Sequence, residues 1–199
     1  MNILILGNGA REHSIAWAVK QNPKCSRLLV APGNAGIADI ADISTINIEN
    51  CDEVVKLATQ EKIDFVIIGP EAPLAAGVSD ELKNNGFLVF GPSKAAAQLE
   101  ISKSFMKDVC TTVNIPTAKY SKFNDLLSAK KYVVKEGVPI VIKADGLAAG
   151  KGVTVAMDLT TAYKALEDIF NSSNHNSDTK VVIEEFMEGE EASFFVLCD

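Results

Sequence analysis

The chain opens on a short continuous apolar run, residues 2–6, that stops at Gly7. A run this short, bounded by a glycine, predicts a strand covered on both faces. A helical pattern follows over 11–20, with Ile15, Ala16 and Val19 on one side, and a second strand at 27–31 is closed by Pro32, Gly33 and Asn34. The alternation continues through a helix at 52–62, a strand at 64–68 stopped by Gly69 and Pro70, a helix at 74–85 ending before Gly86, and a strand at 87–90. Strands alternating with helices predict a doubly wound parallel sheet, whose ligands lie beyond the carboxyl ends of the strands.

The pattern changes near Gly91, where a domain boundary is expected. Residues 93–113 read as helical and carry Lys94, Lys103 and Lys107, with no strand before Pro116. Beyond it the order is a short strand at 118–120, helix 124–136, strand 139–143, strand 153–157 and helix 160–170. A polar loop at 171–178 and strands at 180–186 and 192–197 complete the chain. The expected fold class is α/β: an N-terminal doubly wound sheet followed by an α+β region. The last apolar strand runs into Asp199 without a cap, which reads as a truncated chain.

Composition adds mainly exclusions. With 47% hydrophobic and 23% charged residues, the chain has an ordinary globular make-up. A net charge of -7 and the lack of any block of Lys or Arg argue against a nucleic-acid groove or an anionic membrane surface. No stretch approaches the ~20 apolar residues of a membrane helix. Cys25, Cys51, Cys110 and Cys198 are scattered, which suggests neither a zinc site nor a disulfide framework and makes the cytoplasm the expected compartment. An anionic ligand would need cations concentrated locally.

That concentration occurs in PIVIKADGLAAGKGVTVA (139–156), where Lys143, Gly146, Gly150, Lys151 and Gly152 occupy one loop between two β-branched strands. Glycines let backbone N–H groups approach an anion, and lysines supply mobile positive charge. The spacing is not that of a Walker A loop, which needs four residues between its first glycine and the Gly-Lys pair and leads into a helix. A phosphate-covering hairpin loop is the expectation, with a flexible hairpin bearing solvated lysines as the alternative.

Downstream, VVIEEFMEGEE (181–191) is an apolar strand ending in carboxylates around a glycine. Carboxylates there can accept from ribose hydroxyls or an amino group, and Phe186 offers apolar contact to an adenine. A solvated acidic turn is the competing reading. At the N-terminus, GNGARE (7–12) sits where a dinucleotide fingerprint would, but Glu12 replaces the third glycine and no ribose-binding acid closes the second strand. NAD binding is therefore not expected. A glycine turn opening a helix N-terminus favours a phosphate, with Arg11 as a second anchor. Glu71 should lie at the same sheet edge, suiting either an amine-bearing phosphate or a loop–loop ion pair.

Taken together, GNGAREH (7–13), APGNAG (31–36), GPEAPLAAG (69–77), GPSKAAAQLE (91–100), SKSFMK (102–107), IPTA (115–118), IKADGLAAGKGV (142–153) and EEFMEGEEASF (184–194) closely resemble the phosphoribosylamine–glycine ligase family of the ATP-grasp superfamily. The resemblance covers essentially the whole chain. It implies a substrate-binding domain at 1–91, a helical connection at 92–116, the smaller ATP-grasp lobe at 117–190 and the start of a larger lobe at 191–199.

By the same resemblance, Lys103 and Lys143 contact nucleotide phosphates and 144–152 is the phosphate lid. Glu184, Glu185 and Phe186 form the adenine hinge, and Glu191 holds the ribose. Gly9, Arg11, Glu12 and Glu71 face phosphoribosylamine. The implied reaction joins glycine to phosphoribosylamine through a glycyl phosphate, with ATP and Mg²⁺ or Mn²⁺, in purine synthesis. The metal ligands and most of the catalytic floor are expected outside these residues, so this chain alone is expected to lack turnover. Two positions depart from the family: Ala10 stands where a second glycine is common, and Ile101 where a small residue is usual. Another ATP-grasp carboxylate–amine ligase and a nonenzymatic ATP-binding module remain alternatives.

Overall fold

The computed structural model describes residues 1–147, 152–172 and 179–197. The chain divides into two compact units, Met1–Ile101 and Ser102–Asp199. The first contains β1 (Asn2–Gly7), α1 (Ala10–Lys20), β2 (Arg27–Pro32), α2 (Ala35–Ala38), β3 (Asp42–Ile43) and α3 (Cys51–Gln60). It continues with β4 (Phe65–Ile68), α4 (Glu71–Ala76), α5 (Val78–Asn84), β5 (Leu88–Phe90) and α6 (Lys94–Ile101). The strands form one parallel sheet in the order β3-β2-β1-β4-β5. This is the expected doubly wound arrangement, with the strand order reversing at β1.

The physical reason for the unbroken apolar run in β1 is now visible. Leu4 and Leu6 enter a core with Val54, Leu57 and Ala58 of α3 and Val78 and Leu82 of α5. Ile3 and Ile5 enter the opposite core with Ala16 of α1 and Ile37 of α2. A strand packed on both faces has no polar side to alternate with.

Three expectations change here. The single helix expected at 74–85 is two, because Gly77 adopts φ +102, a left-handed conformation that ends α4 before α5 begins. The helical stretch expected at 93–113 is also two. Ser102 is extended, and its hydroxyl accepts from Phe105 N at 3.1 Å, starting a new helix. Finally, α2 and the two-residue β3 were not foreseen, since elements that short carry no readable period.

The second unit contains α7 (Lys103–Thr112), β6 (Tyr120–Phe123), α8 (Leu126–Glu136), β7 (Ile140–Ala144), β8 (Val153–Ala156), α9 (Leu159–Ser172) and β9 (Val181–Glu185). Its antiparallel sheet has the order β6-β9-β7-β8. The strand expected at 118–120 lies later, because pairing with β9 runs from Tyr120 opposite Glu184 to Phe123 opposite Val181. The strand expected at 192–197 is not found. Among the described residues this segment pairs with no other strand, and Phe194 is 91% exposed; an extended segment becomes a strand only by pairing. The polar loop at 171–178 lies largely outside the described residues.

One face of this sheet is closed. Ile140, Ile142, Ala156, Val181 and Ile183 pack against Ala129 and Val133 of α8 and Ala162 and Leu166 of α9. Residues alternate across a strand, so Val141, Lys143, Val153, Val155, Val182 and Glu184 point to the other face, with Val153 and Val155 about half exposed. Among the described residues no helix is long and apolar enough to cross a membrane.

Leu4 is fully buried at the centre of the first sheet. Leu4→Ala should lower unfolding free energy by about 2–5 kcal/mol, the range for a poorly collapsible core site. Urea unfolding read by circular dichroism checks this, and a loss below the range would mean that the core closes over the cavity.

Candidate functional site

In the first unit the carboxyl ends of β1 and β4 bring together Gly7, Gly9, Arg11, Gly69 and Glu71. Arg11 Nη1 donates to Gly69 O and to Glu71 Oε1, both at 3.1 Å. The Arg11 and Glu71 side chains are 63% and 40% exposed, and an ion pair this wet contributes about 0–1 kcal/mol. Both groups remain reachable from solvent. Gly9 is exposed, and its carbonyl accepts the His13 amide of α1 at 3.0 Å.

Glu12 behaves differently from its expected substrate-facing role. It is 4% exposed, and its Oε2 accepts the Gly9 N–H at 2.7 Å. Its carboxylate sits so deep in the turn that a Cβ on Gly7 would lie 2.4 Å from Glu12 Cγ, and one on Gly69 would lie 2.3 Å from Glu12 Oε1. Gly7 and Gly69 therefore leave the space that this internal cap fills, at the position where a dinucleotide pattern would have its third glycine.

The second unit holds the denser cluster. On the open face of the sheet Glu184 stands across from Val141, and Lys143 across from Val182, so the two charged side chains are diagonal neighbours. Lys143 Nζ lies 2.9 Å from Glu184 Oε2. Lys107 of α7 reaches the same oxygen at 3.1 Å and also donates to Thr117 Oγ1 at 2.7 Å and Ala118 O at 3.3 Å. The Lys107 and Glu184 side chains are 2% and 6% exposed, whereas Lys143 is 26% exposed. Glu184 Oε1 is buried and has no hydrogen-bond partner among the described residues.

The base of the hairpin loop is anchored beside this cluster. Ala144 N donates to Gly152 O at 2.8 Å, and Asp145 N to Lys180 O at 2.9 Å. Lys103 Nζ donates to the carbonyl of Gly146 at 3.0 Å. Gly146 has φ +97, and nothing lies within 4 Å of a Cβ placed there, so its glycine answers to backbone conformation. Asp145 accepts from the Ser104 amide and the Ser102 hydroxyl, each at 3.2 Å. Burial pushes the Asp145 carboxyl up, but the Ser104 amide, the Ser102 hydroxyl and the Gly146 amide outweigh it and hold the group below its ordinary 3.8.

The remaining expected residues separate. Glu185 follows Glu184 on the strand and so turns to the other face, where its Oε1 accepts the Lys119 N–H at 2.7 Å. Phe186 is half-buried and Glu191 exposed, both beyond the end of β9. Gly150 and Lys151 lie outside the described residues. Lys107 was not singled out for the site, although the signal was present: it shares the inward stripe of α7 with Ser104 and Cys110, a place where an unpaired lysine is not tolerated. Among the described residues no three acidic, His or Cys side chains cluster as a metal site would require.

A doubly wound unit followed by an antiparallel sheet with lysines on its open face, at the root of a Gly-Lys hairpin loop, defines the ATP-grasp class. Residues 1–100 match the family model for the N domain of phosphoribosylglycinamide synthetase, and residues 101–199 that for its ATP-grasp (A) domain. The chain belongs to the phosphoribosylglycinamide synthetase family.

A phosphoribosylamine–glycine ligase of Mesorhizobium japonicum is 54% identical over 199 residues, all of this chain and 47% of that protein. The chain thus spans about half the length of the curated relatives it matches. The crystal structure of the Thermotoga maritima phosphoribosylamine–glycine ligase is 29% identical, with a TM-score of 0.77 over 96% of this chain and 45% of its own. The biotin carboxylase domain of Hydrogenobacter thermophilus 2-oxoglutarate carboxylase, solved with MgADP, ADP and bicarbonate, shares the fold at 15% identity. Its TM-score is 0.72, over 94% of this chain and 44% of its own.

Two measurements test the local geometry. Gly69→Ala should destabilise by about 1–3 kcal/mol through a clash with a packed side chain. The same change in a Glu12→Ala background should cost much less, and equal costs in both backgrounds would remove Glu12 as the cause. For Asp145 the folded carboxyl lies below its ordinary value, so its contribution is present above 3.8 and is lost as pH falls through the lowered value. The stability difference between the native chain and Asp145→Asn should be constant above about pH 5 and shrink in the acid limb; a difference flat down to pH 2 would refute the assignment.

Proposed function

We propose that the chain supplies the phosphoribosylamine-binding domain and the smaller nucleotide-binding lobe of an ATP-dependent phosphoribosylamine–glycine ligase. In this reading the whole protein makes glycinamide ribonucleotide, ADP and phosphate. Residues 1–91 hold phosphoribosylamine, 92–116 connect, 117–190 grip the nucleotide and 191–199 open the larger lobe. One observation carries the nucleotide assignment: the partly exposed Lys143 on a sheet face lined by Val153 and Val155, at the root of the hairpin loop.

The chemistry follows from the groups present. Lys143, Lys103 and the loop amides around Gly146, Gly150, Lys151 and Gly152 neutralise the triphosphate. Valines of the open face and Phe186 receive the apolar adenine ring. Glu184 has an acceptor oxygen, Oε1, whose hydrogen-bonding capacity is unused among the described residues, and an adenine amino group supplies the missing donor. Glu191 meets the ribose, and backbone groups around Glu185 complete the hinge. At the strand ends of the first unit, Arg11 and the Gly9 turn take the substrate phosphate and Glu71 its amine.

Phosphoryl transfer to the glycine carboxylate then gives a glycyl phosphate, which the amine attacks, expelling phosphate. Positioning and charge neutralisation account for such a step without a covalent enzyme nucleophile. Mg²⁺ or Mn²⁺ would join the nucleotide through ligands supplied from outside this chain and would add charge neutralisation at the phosphates.

The test uses the full-length protein and this chain side by side. The full-length protein should release ADP only when glycine and phosphoribosylamine are both present, and the 199-residue chain should not turn over. Lys143→Met in the full-length protein should weaken ATP binding by about 1.5–3 kcal/mol, the value of a charge-assisted hydrogen bond. Unchanged ATP affinity by calorimetry would remove Lys143 from the site, and ADP release with a different acid would redirect the substrate assignment.

A further inference from the structure

Lys107 raises a charge-balance question that the binding roles above leave open. It cannot itself meet a ligand, being 2% exposed, with its ammonium engaged by Thr117, Ala118 and Glu184. Yet Lys107 and Lys143 share a single oxygen of Glu184. Two cations and one anion leave one uncompensated positive charge in a largely dry setting. Without Lys107, the buried Glu184 would neutralise Lys143 completely, and the pair would offer an incoming phosphate little net attraction.

We infer that Lys107 is a positioning residue that neutralises Glu184 and thereby keeps the charge of Lys143 available to the nucleotide phosphates. The inference rests on the nucleotide site proposed above. The division of labour follows from exposure: the buried lysine, 2% exposed, compensates the buried carboxylate, and the lysine that is 26% exposed is the one a solvent-borne ligand can reach. Thr117 and Ala118 are part of the device, because they fix Lys107 on Glu184 and away from the ligand. The opposing arrangement, in which Lys107 merely ties α7 to the sheet, predicts the same contacts but not the same energetics.

A mutant cycle in the full-length protein separates the two. Lys107→Met should weaken ATP binding roughly 10- to 100-fold, as expected for losing one charge-assisted contact, while leaving adenosine, which lacks phosphates, bound as before. Adding Glu184→Gln removes the carboxylate that captures Lys143, so the double variant should recover most of the preference for ATP over adenosine, a ratio in which any change at the adenine contact cancels. Lys107→Arg should retain it.

Equal losses for ATP and adenosine in Lys107→Met, or a double variant whose ATP-to-adenosine ratio is lower than that of Lys107→Met, would overturn the inference. If Lys107→Met does not fold, Glu184→Gln alone decides the matter, read as the ratio of ATP to adenosine affinity so that any change at the adenine contact cancels: freed of its counter-charge, the site should favour ATP over adenosine more strongly, and a lower ratio would refute the scheme. Loss of ATP affinity in Lys143→Met together with an unfavourable cycle discards only the role of Lys107. No effect of Lys143→Met on ATP affinity discards the nucleotide site itself.

Discussion

A carboxylate buried in a protein must be compensated, and much of the second unit is arranged around compensating one. Glu184 lies near the end of β9 on the face opposite α8 and α9, and two lysines from different elements converge on its Oε2. Stranding such a charge without partners costs several kcal/mol. The positions of α7, β7 and β9 are therefore coupled: α7 brings Lys107, β7 brings Lys143, and neither can shift far without exposing the charge of the third. The hairpin loop is rooted in the same place, through Lys103 on Gly146 and the hydroxyl and amide donors on Asp145. The root of the hairpin loop thus follows directly on the charge cluster, Asp145 lying two residues past Lys143.

The first unit uses a carboxylate in the opposite manner. Glu12 is turned back on its own turn, and the absence of side chains at Gly7 and Gly69 leaves the space it fills. The result is an internally capped strand-to-helix turn with Arg11 and Glu71 displayed above it, 63% and 40% exposed. A capped turn beneath and exposed groups above are a sound basis for a binding site at strand ends, because the scaffold loses little further freedom when a ligand arrives.

Much of this was legible in the residues. The apolar runs bounded by glycine and proline gave the alternation of the first sheet, and the Lys-Gly cluster between β-branched runs marked the hairpin whose two strands do pair. What resisted reading had specific causes. The break at Gly77 depends on a left-handed φ that the sequence does not announce. The strand expected at 192–197 depends on a partner edge, which no local pattern supplies. Glu12 looked like a failed fingerprint position because sequence spacing cannot tell an inward carboxylate from an outward one.

Sequence alone therefore determined the alternation of the main strands and helices, the family and the chemistry on offer: lysines, glycines and carboxylates gathered at two places in an acidic chain. These follow from periodicity and local spacing, which are properties of neighbours along the chain. Only the tertiary structure decided which carboxylate meets which lysine. It put Glu184 and Glu185 on opposite faces of one strand, took Lys107 out of solvent and left Lys143 partly exposed. Those outcomes depend on distances between residues tens of positions apart, and they arise only when β7 and β9 pair in one register and α7 lies close enough to reach them.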